Sequence, residues 1–183
     1  FTASYSIYNF LDFNFGFRFE HINNLVQKFY SNSRWNDENY EKDLGPYVIK
    51  EILSQKLVKR RIIFNNPSIN FGVKSGIIPS HEVSLNFFYT QRAPDIAEMF
   101  SDGLHHAIAS IEYGDPFLKS EITKKVVVNF QKKEGNFQYN LNPYFTTGKN
   151  YIVIEPVGVE QSIRGAFPVW KFRSISSLLK GID

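Results

Sequence analysis

The chain has 183 residues, with 21 Lys+Arg against 18 Asp+Glu. The net charge of +3 is too small to mark a nucleic-acid surface. There are 18 Phe and 10 Tyr but no Cys, which excludes disulfides, thiolate nucleophiles and thiolate metal sites.

No run of about 18 apolar residues exists, so no transmembrane helix is expected; strands that cross a membrane alternate and stay permitted. Phenylalanine and tyrosine suit strands and form the interfacial girdles of membrane barrels. The only basic run, Lys56–Arg61, reads as the solvated part of a loop. Phe1 opens directly into strand-like sequence without a leader, as a mature or internal segment would.

In chain order, Phe1–Tyr8 reads as the end of a strand, followed by a tight turn near Asn9. Leu11–Glu20 is the cleanest pattern. Leu11, Phe13, Phe15, Phe17 and Phe19 alternate with Asp12, Asn14, Gly16, Arg18 and Glu20. One face is therefore apolar and the other carries only polar residues and glycine. A sandwich strand gives this pattern with the aromatic row inward. A barrel strand gives it with that row on lipid and the polar row on the lumen, and about ten tilted residues cross a bilayer.

His21 to about Arg61 is long, polar and irregular. Ser31–Asn39 reads as loop, and Pro46 begins either a helix containing Ile49, Ile52, Leu53 and Leu57 or a protruding hairpin of the same residues. So long a connection is unusual in a soluble domain and common in the extracellular loops of barrels.

Ser68–Ser75 alternates again, then Ile77–Glu82 turns. Val83, Leu85, Phe87 and Tyr89 alternate with Ser84, Asn86 and Thr90, with Phe88 breaking the polar row. Lys124–Gln131 sets Val126, Val128 and Phe130 against Lys125, Asn129 and Gln131, with Val127 as the exception. Glu134-Gly135-Asn136 is a tight turn. Phe137, Tyr139, Leu141 and Phe145 form the next row, whose strand ends over Lys149–Pro156. Val157–Pro168 reads as a loop, and Trp170–Gly181 as a final strand with weaker alternation. Turn lengths run short, long, short, long, short, moderate. Tight turns at one end and long loops at the other are the arrangement of an outer-membrane barrel.

Gln91–Glu121 is a loop with a small fold of its own. Arg92-Ala93-Pro94 halts the strand, Asp95 caps a helical turn bearing Ile96, Met99 and Phe100, and Gly103 stops it. His105-His106 follows, then the turn Gly114-Asp115-Pro116. In order, the boxes read Arg92-Ala93-Pro94, Glu98-Met99-Phe100, Gly103-Leu104-His105-His106 and Asp115-Pro116-Phe117-Leu118. These resemble the boxes of TonB-dependent outer-membrane receptors, especially the iron-complex and haem receptors of Bacteroidota. The fourth departs from the usual asparagine-proline-asparagine-leucine at Asp115 and Phe117. The likeness continues through Asn150-Tyr151-Ile152-Val153, Gly165-Ala166-Phe167-Pro168-Val169 and Gly181-Ile182-Asp183.

The resemblance implies an all-β chain: a segment of a large antiparallel transmembrane β-barrel of about seven strands, with short periplasmic turns and long extracellular loops. Residues 1–183 are then a partial barrel domain, with an N-terminal plug and further strands outside the chain. The implied function is import of a ferric siderophore or haem-type complex across the bacterial outer membrane, as an integral multi-pass protein. The implied partners are the TonB–ExbB–ExbD system acting through the plug, the iron complex, outer-membrane lipid and a surface lipoprotein. Extracellular loops at Asn23–Arg61, Gln91–Glu121 and Val157–Pro168 are expected.

Candidate ligand contacts are His105 and His106, since a neutral imidazole ligates iron and a histidine between these boxes is implicated in haem transfer in the family. Arg92 is a third candidate, fit for a carboxylate or catecholate, or for ion pairs with Asp95, Glu98 or Asp115 that fix the loop base. Tyr113 is a fourth, on an aromatic lip with Tyr89 and Phe100. No catalytic residue, resident cofactor or metal site is expected; Ser80-His81-Glu82 has no nucleophile elbow, and His21 and His81 have no ligand-spaced partners. The remaining alternatives are a TonB-dependent receptor for a glycan or peptide, and a soluble β-sandwich binding module that buries the Phe13–Phe19 row.

Overall fold

A computed structural model describes residues 1–7, 10–76, 78–163 and 165–183. The turn expected near Asn9, and Ile77 in the following turn, lie outside these residues. The strands are β1 (Thr2–Ile7), β2 (Leu11–Ser31), β3 (Val48–Ile52), β4 (Gln55–Ser75), β5 (His81–Arg92), β6 (Asp102–His105), β7 (Ser110–Tyr113), β8 (Glu121–Lys132), β9 (Tyr139–Leu141), β10 (Pro143–Ser162) and β11 (Gly165–Ile182). Three short helices accompany them: α1 (Asn32–Asp37), α2 (Glu41–Leu44) and α3 (Ile96–Phe100). The sheet order is β1-β2-β4-β5-β8-β10-β11-β7-β6, with β3 on β4 and β9 on β8. The seven strands from β1 to β11 along that path are those expected from the alternation. The chain divides into two compact units, Phe1–Phe19 with Asn66–Asp183, and Glu20–Asn65.

In the first unit the antiparallel registers keep like with like. Phe71 pairs with Phe87, Phe87 with Val126, and Val126 with Phe145. On the opposite face Gly72 pairs with Asn86 and Lys74 with Ser84. Register is thus fixed by both rows, because a slip of one residue would exchange them. Phe88 and Val127 do sit in the polar row, against Asn70 and Asn86. The apolar row is uncovered: Phe15, Phe19, Phe71, Leu85 and Phe145 are all exposed. A sandwich would bury this row against a second sheet, so the sandwich reading fails. The row is the lipid-facing surface of a barrel wall.

The polar row packs closely. A Cβ on Gly16 would lie 1.9 Å from Asn70 Oδ1, so the asparagine side chain occupies the space that glycine leaves. Gly72 is similarly overlain by Asn86, at 2.5 Å from such a Cβ.

Glu20–Asn65 is not the irregular loop expected over Asn23–Arg61. Strand pairing extends into it through β3 and β4, joined by a hairpin turn in which Leu53 takes φ 48° and is fully exposed. Ile49 and Ile52 therefore belong to a hairpin rather than a helix, and Pro46 lies in a 3-10 turn, Gly45–Tyr47. Ser31–Asn39, expected as loop, contains α1, capped by the Ser31 hydroxyl accepting from the Arg34 N–H.

This unit has its own core of Tyr30, Trp35, Tyr40, Leu44 and Val58. The three rings meet edge-on at centroid distances of 5.4–6.1 Å, the arrangement aromatic quadrupoles favour. Five residues scattered over nearly thirty positions show no local period, which is why the sequence reads as loop. The indole N–H of Trp35 donates to Glu41 at 2.7 Å. Lys56 pairs with the same carboxylate at 3.0 Å and lies 4.9 Å over the indole ring.

The last hairpin also differs from expectation. The ladder between β10 and β11 runs on to Ser162 and Gly165, so of the loop expected over Val157–Pro168 the residues Val157–Ser162 and Gly165–Pro168 are strand, while Arg164 lies outside the described residues. Pro156 is tolerated because the register shifts between Pro156 and Gly158, where no ladder N–H is required of it.

Two expectations follow. Phe15→Arg places a cation on the lipid-facing row and should cost about 2–4 kcal/mol near the midplane, read as lost heat-modifiable barrel in outer-membrane fractions. The Trp35 indole, then Lys56, hold the Glu41 carboxyl below its ordinary pKa of 4.5. A lowered folded-state pKa stabilises above the unfolded value and is lost as pH falls through the folded one. In a Trp170→Phe background, Trp35 emission should therefore shift red as pH drops below about 4.5, and Glu41→Gln should weaken that acid response.

Candidate functional site

The connection from β5 to β8 folds as the sequence suggests. Pro94 ends β5, and α3 follows with Asp95 at its N-cap. The Glu98 carboxylate reaches back to accept the Asp95 N–H at 2.7 Å, the second half of a capping box. The helix ends at Phe100 with Ser101 as C-cap, so Gly103 is not its stop; it lies in β6 at φ 124°. The β6–β7 hairpin pairs Leu104 with Ile111 and His105 with Ser110. Through β7 it lies parallel to β11, Ile111 against Val169.

Arg92 anchors the base. Its guanidinium meets both Glu98 oxygens at 3.0 and 3.1 Å and Glu121 at 3.1 Å. Glu121 lies at the far end of the connection, so one cation joins the two strands and the helix. Two carboxylates raise the pKa of Arg92, Glu98 first. Of the three carboxylates named as partners, Glu98 takes the role, while Asp115 accepts the Phe117 N–H at 2.8 Å in a local turn. Met99, Ile111 and Leu118 are buried. Gly114 is pressed on the helix, its amide donating to the Ser101 carbonyl at 2.8 Å. A Cβ there would lie 2.4 Å from the Met99 carbonyl carbon.

The imidazoles stand away from this packed base. His105 ends β6 with its side chain 54% exposed and Nδ1 3.3 Å from Glu112. His106 is exposed in the tip between the two strands. Tyr113 donates from its hydroxyl to Glu160 on β10 at 3.1 Å. The four candidate residues thus share one folded connection, but Arg92, His105 and Tyr113 are each held by a different partner. Among the described residues, no group of three or more His, Cys, Asp or Glu could hold a metal ion.

Glu121 and Glu160 were not foreseen as partners, since they lie far from Arg92 and Tyr113 in sequence and only the β8 and β10 registers bring them near. Asn66, 1% exposed, is another: its Oδ1 accepts from Ser120 at 2.6 Å where the connection rejoins the sheet.

A sheet with an apolar outer row and a polar inner row, with short connections after β4 and β8 and long ones after β2 and β5, defines a section of an outer-membrane β-barrel. The family model described as TonB dependent receptor-like, beta-barrel matches residues 1–183. The chain belongs to that family, which places it in the outer membrane. A search of curated protein sequences gave no match. Among solved structures, the chain is similar to a double mutant of the Serratia marcescens hemophore receptor HasR in complex with its hemophore HasA and heme. The TM-score is 0.68 at 15% identity, covering 99% of this chain and 30% of that one. At that identity the likeness shows the fold, and the chain spans less than a third of that receptor's length.

Gly114→Ala should loosen the connection by roughly 1–3 kcal/mol, because the added methyl meets backbone that cannot rotate away. Faster amide hydrogen exchange in α3 with unchanged exchange in β8 is the expected reading.

Proposed function

We propose that this chain is part of a TonB-dependent transporter importing an iron complex, either haem or a ferric siderophore. The plug and the remaining strands are assigned to the same receptor, and energy comes from TonB–ExbB–ExbD through the plug. On this reading the protein moves its ligand without transforming it, so no enzymatic step is assigned. A surface lipoprotein that hands over ligand is part of the same reading.

The observation that carries the proposal is the contrast within Gln91–Glu121. Its base is fixed by Arg92 between Glu98 and Glu121, while His105 and His106 lie exposed at the hairpin tip. A fixed base with exposed imidazoles lowers the ordering cost of capturing a ligand. Neutral imidazole nitrogens suit ferric iron or the edge of a haem. Tyr113 adds an aromatic surface steadied by Glu160, and the solved haem-bound receptor of the same fold is consistent with this ligand class.

The test is uptake by the complete receptor with haem or ferric siderophores as sole iron source, alongside haem titration of the purified protein. His105→Ala/His106→Ala should weaken binding by roughly tenfold, about 1.4 kcal/mol, with barrel assembly intact. Uptake indifferent to every iron complex but competed by a glycan or peptide would overturn the iron reading and leave a receptor for that nutrient.

A further inference from the structure

On the outward face, β5, β8 and β10 enclose a recess of about 290 Å³ lined by Tyr89, Ile122, Lys124, Thr147, Gly148 and Lys149. Its place is fixed by register. Tyr89 pairs with Lys124, and Lys124 with Thr147. This row lies one step beyond Phe87, Val126 and Phe145, toward the long-connection end of the strands. Ile122 with Lys149 forms the next row. Two lysines thus stand in the same outward row as the lipid-facing phenylalanines.

Height argues that they stand at its edge. From His81 to Gln91, β5 advances about 34 Å at roughly 3.4 Å per residue. A strand tilt of about 40° reduces this to roughly 25 Å, the height of the apolar band of such barrels. The row of Ile122 and Lys149 lies level with Gln91, since Gln91 pairs with Ile122. Lys149 therefore meets the headgroup layer of the outer leaflet, with Lys124 just beneath it.

The recess is built rather than incidental. The register of β10 against β11 shifts between Gly148 and Tyr151, and Asn150 takes φ 54°. The Asn150 amide donates to the Ser120 carbonyl at 3.2 Å, which fixes the bulge beside Lys149. Gln91 Nε2 donates to the Tyr89 hydroxyl, leaving the phenolic proton free to donate outward. Both lysines are exposed, and among the described residues neither has a carboxylate partner.

We propose that this recess binds the phosphate of a phosphorylated lipid headgroup in the outer leaflet. The ammonium groups of Lys124 and Lys149 would supply the charge, and the hydroxyls of Tyr89 and Thr147 would donate hydrogen bonds. The acyl chains would lie along Phe87, Val126 and Phe145. Lysines that merely reach out of the apolar layer need no shared anion. A site formed by both requires one. The inference rests on membership of the barrel family and not on the identity of the transported ligand.

The complete receptor, purified in neutral detergent, is titrated with a bisphosphorylated glycolipid and with its dephosphorylated counterpart, and bound lipid is counted by native mass spectrometry. The phosphorylated lipid is expected to be retained selectively. Lys124→Gln/Lys149→Gln should weaken that retention at least tenfold, and Lys124→Arg/Lys149→Arg should restore it. Lys50→Gln, in β3, should leave it unchanged, and heat-modifiable migration confirms that each variant is folded. Equal retention by the double glutamine variant, equal retention of the dephosphorylated lipid, or displacement by inorganic phosphate at the lipid's own concentration would each overturn the site.

Discussion

The antiparallel ladder, with its two unlike faces, is the constraint on which the rest depends. In a membrane every backbone N–H and C=O must find a partner within the protein, so a spanning sheet has no freedom to break its pairing. Pairing of Phe71 with Phe87 and Gly72 with Asn86 then satisfies both requirements at once. The bonds are made, and each row faces its own solvent. The polar side has a packing consequence. With Asn70 lying over Gly16 and Asn86 over Gly72, the inner row forms a layer of amides laid across glycines. Larger residues at those glycines would push the amides inward.

The same rule explains what the sequence reveals. A strand with one face on lipid and one on polar surroundings writes its structure at period two, and Leu11–Glu20 is legible for that reason. Phe88 and Val127 break the pattern without breaking the strand, because the inner face tolerates an occasional apolar residue. The mini-fold of Gln91–Glu121 is legible through its punctuation: a proline to stop the strand, an aspartate to cap, a second proline to turn. Glu20–Asn65 is illegible by either route. Its core joins Tyr30 at the end of a strand to Trp35 and Leu44 in short helices and Val58 in the returning strand. These contacts exist only once the hairpin has formed. A tertiary cluster of this kind leaves no period behind.

The candidate site divides similarly. His105, His106, Arg92 and Tyr113 stand out by residue type, but their partners do not. Glu121 and Glu160 reach Arg92 and Tyr113 through strand register, which pattern alone cannot supply. Lys124 is the converse case. Period two already sets it in the row of Val126 and Val128, where a lysine is costly at the centre of a bilayer and favourable at its edge. Its position in that row carries the information, and only the length of the strand shows it to be at the edge.

Glu121 joins the folded connection to the outer face of β10. Pairing of β8 with β10 ends at Ile122 and Lys149, so the backbone of β10 beyond that point has no ladder partner on the β8 side. The Glu121 carboxylate supplies one, accepting the Ile152 N–H at 3.2 Å while it also receives Arg92. The neighbouring carbonyl of Ser120 receives Asn150. An unpaired buried amide costs about as much as a lost hydrogen bond. The bulge in β10 therefore depends on the end of the Gln91–Glu121 connection for its satisfaction. The β5–β8 ladder brings the two ends of that connection together, Arg92 opposite Glu121, and the Arg92 guanidinium ties α3 to them by meeting carboxylates of both Glu98 and Glu121. The folded connection and the shape of the outer face beside Lys149 are held by one set of bonds, and a change in either is felt in the other.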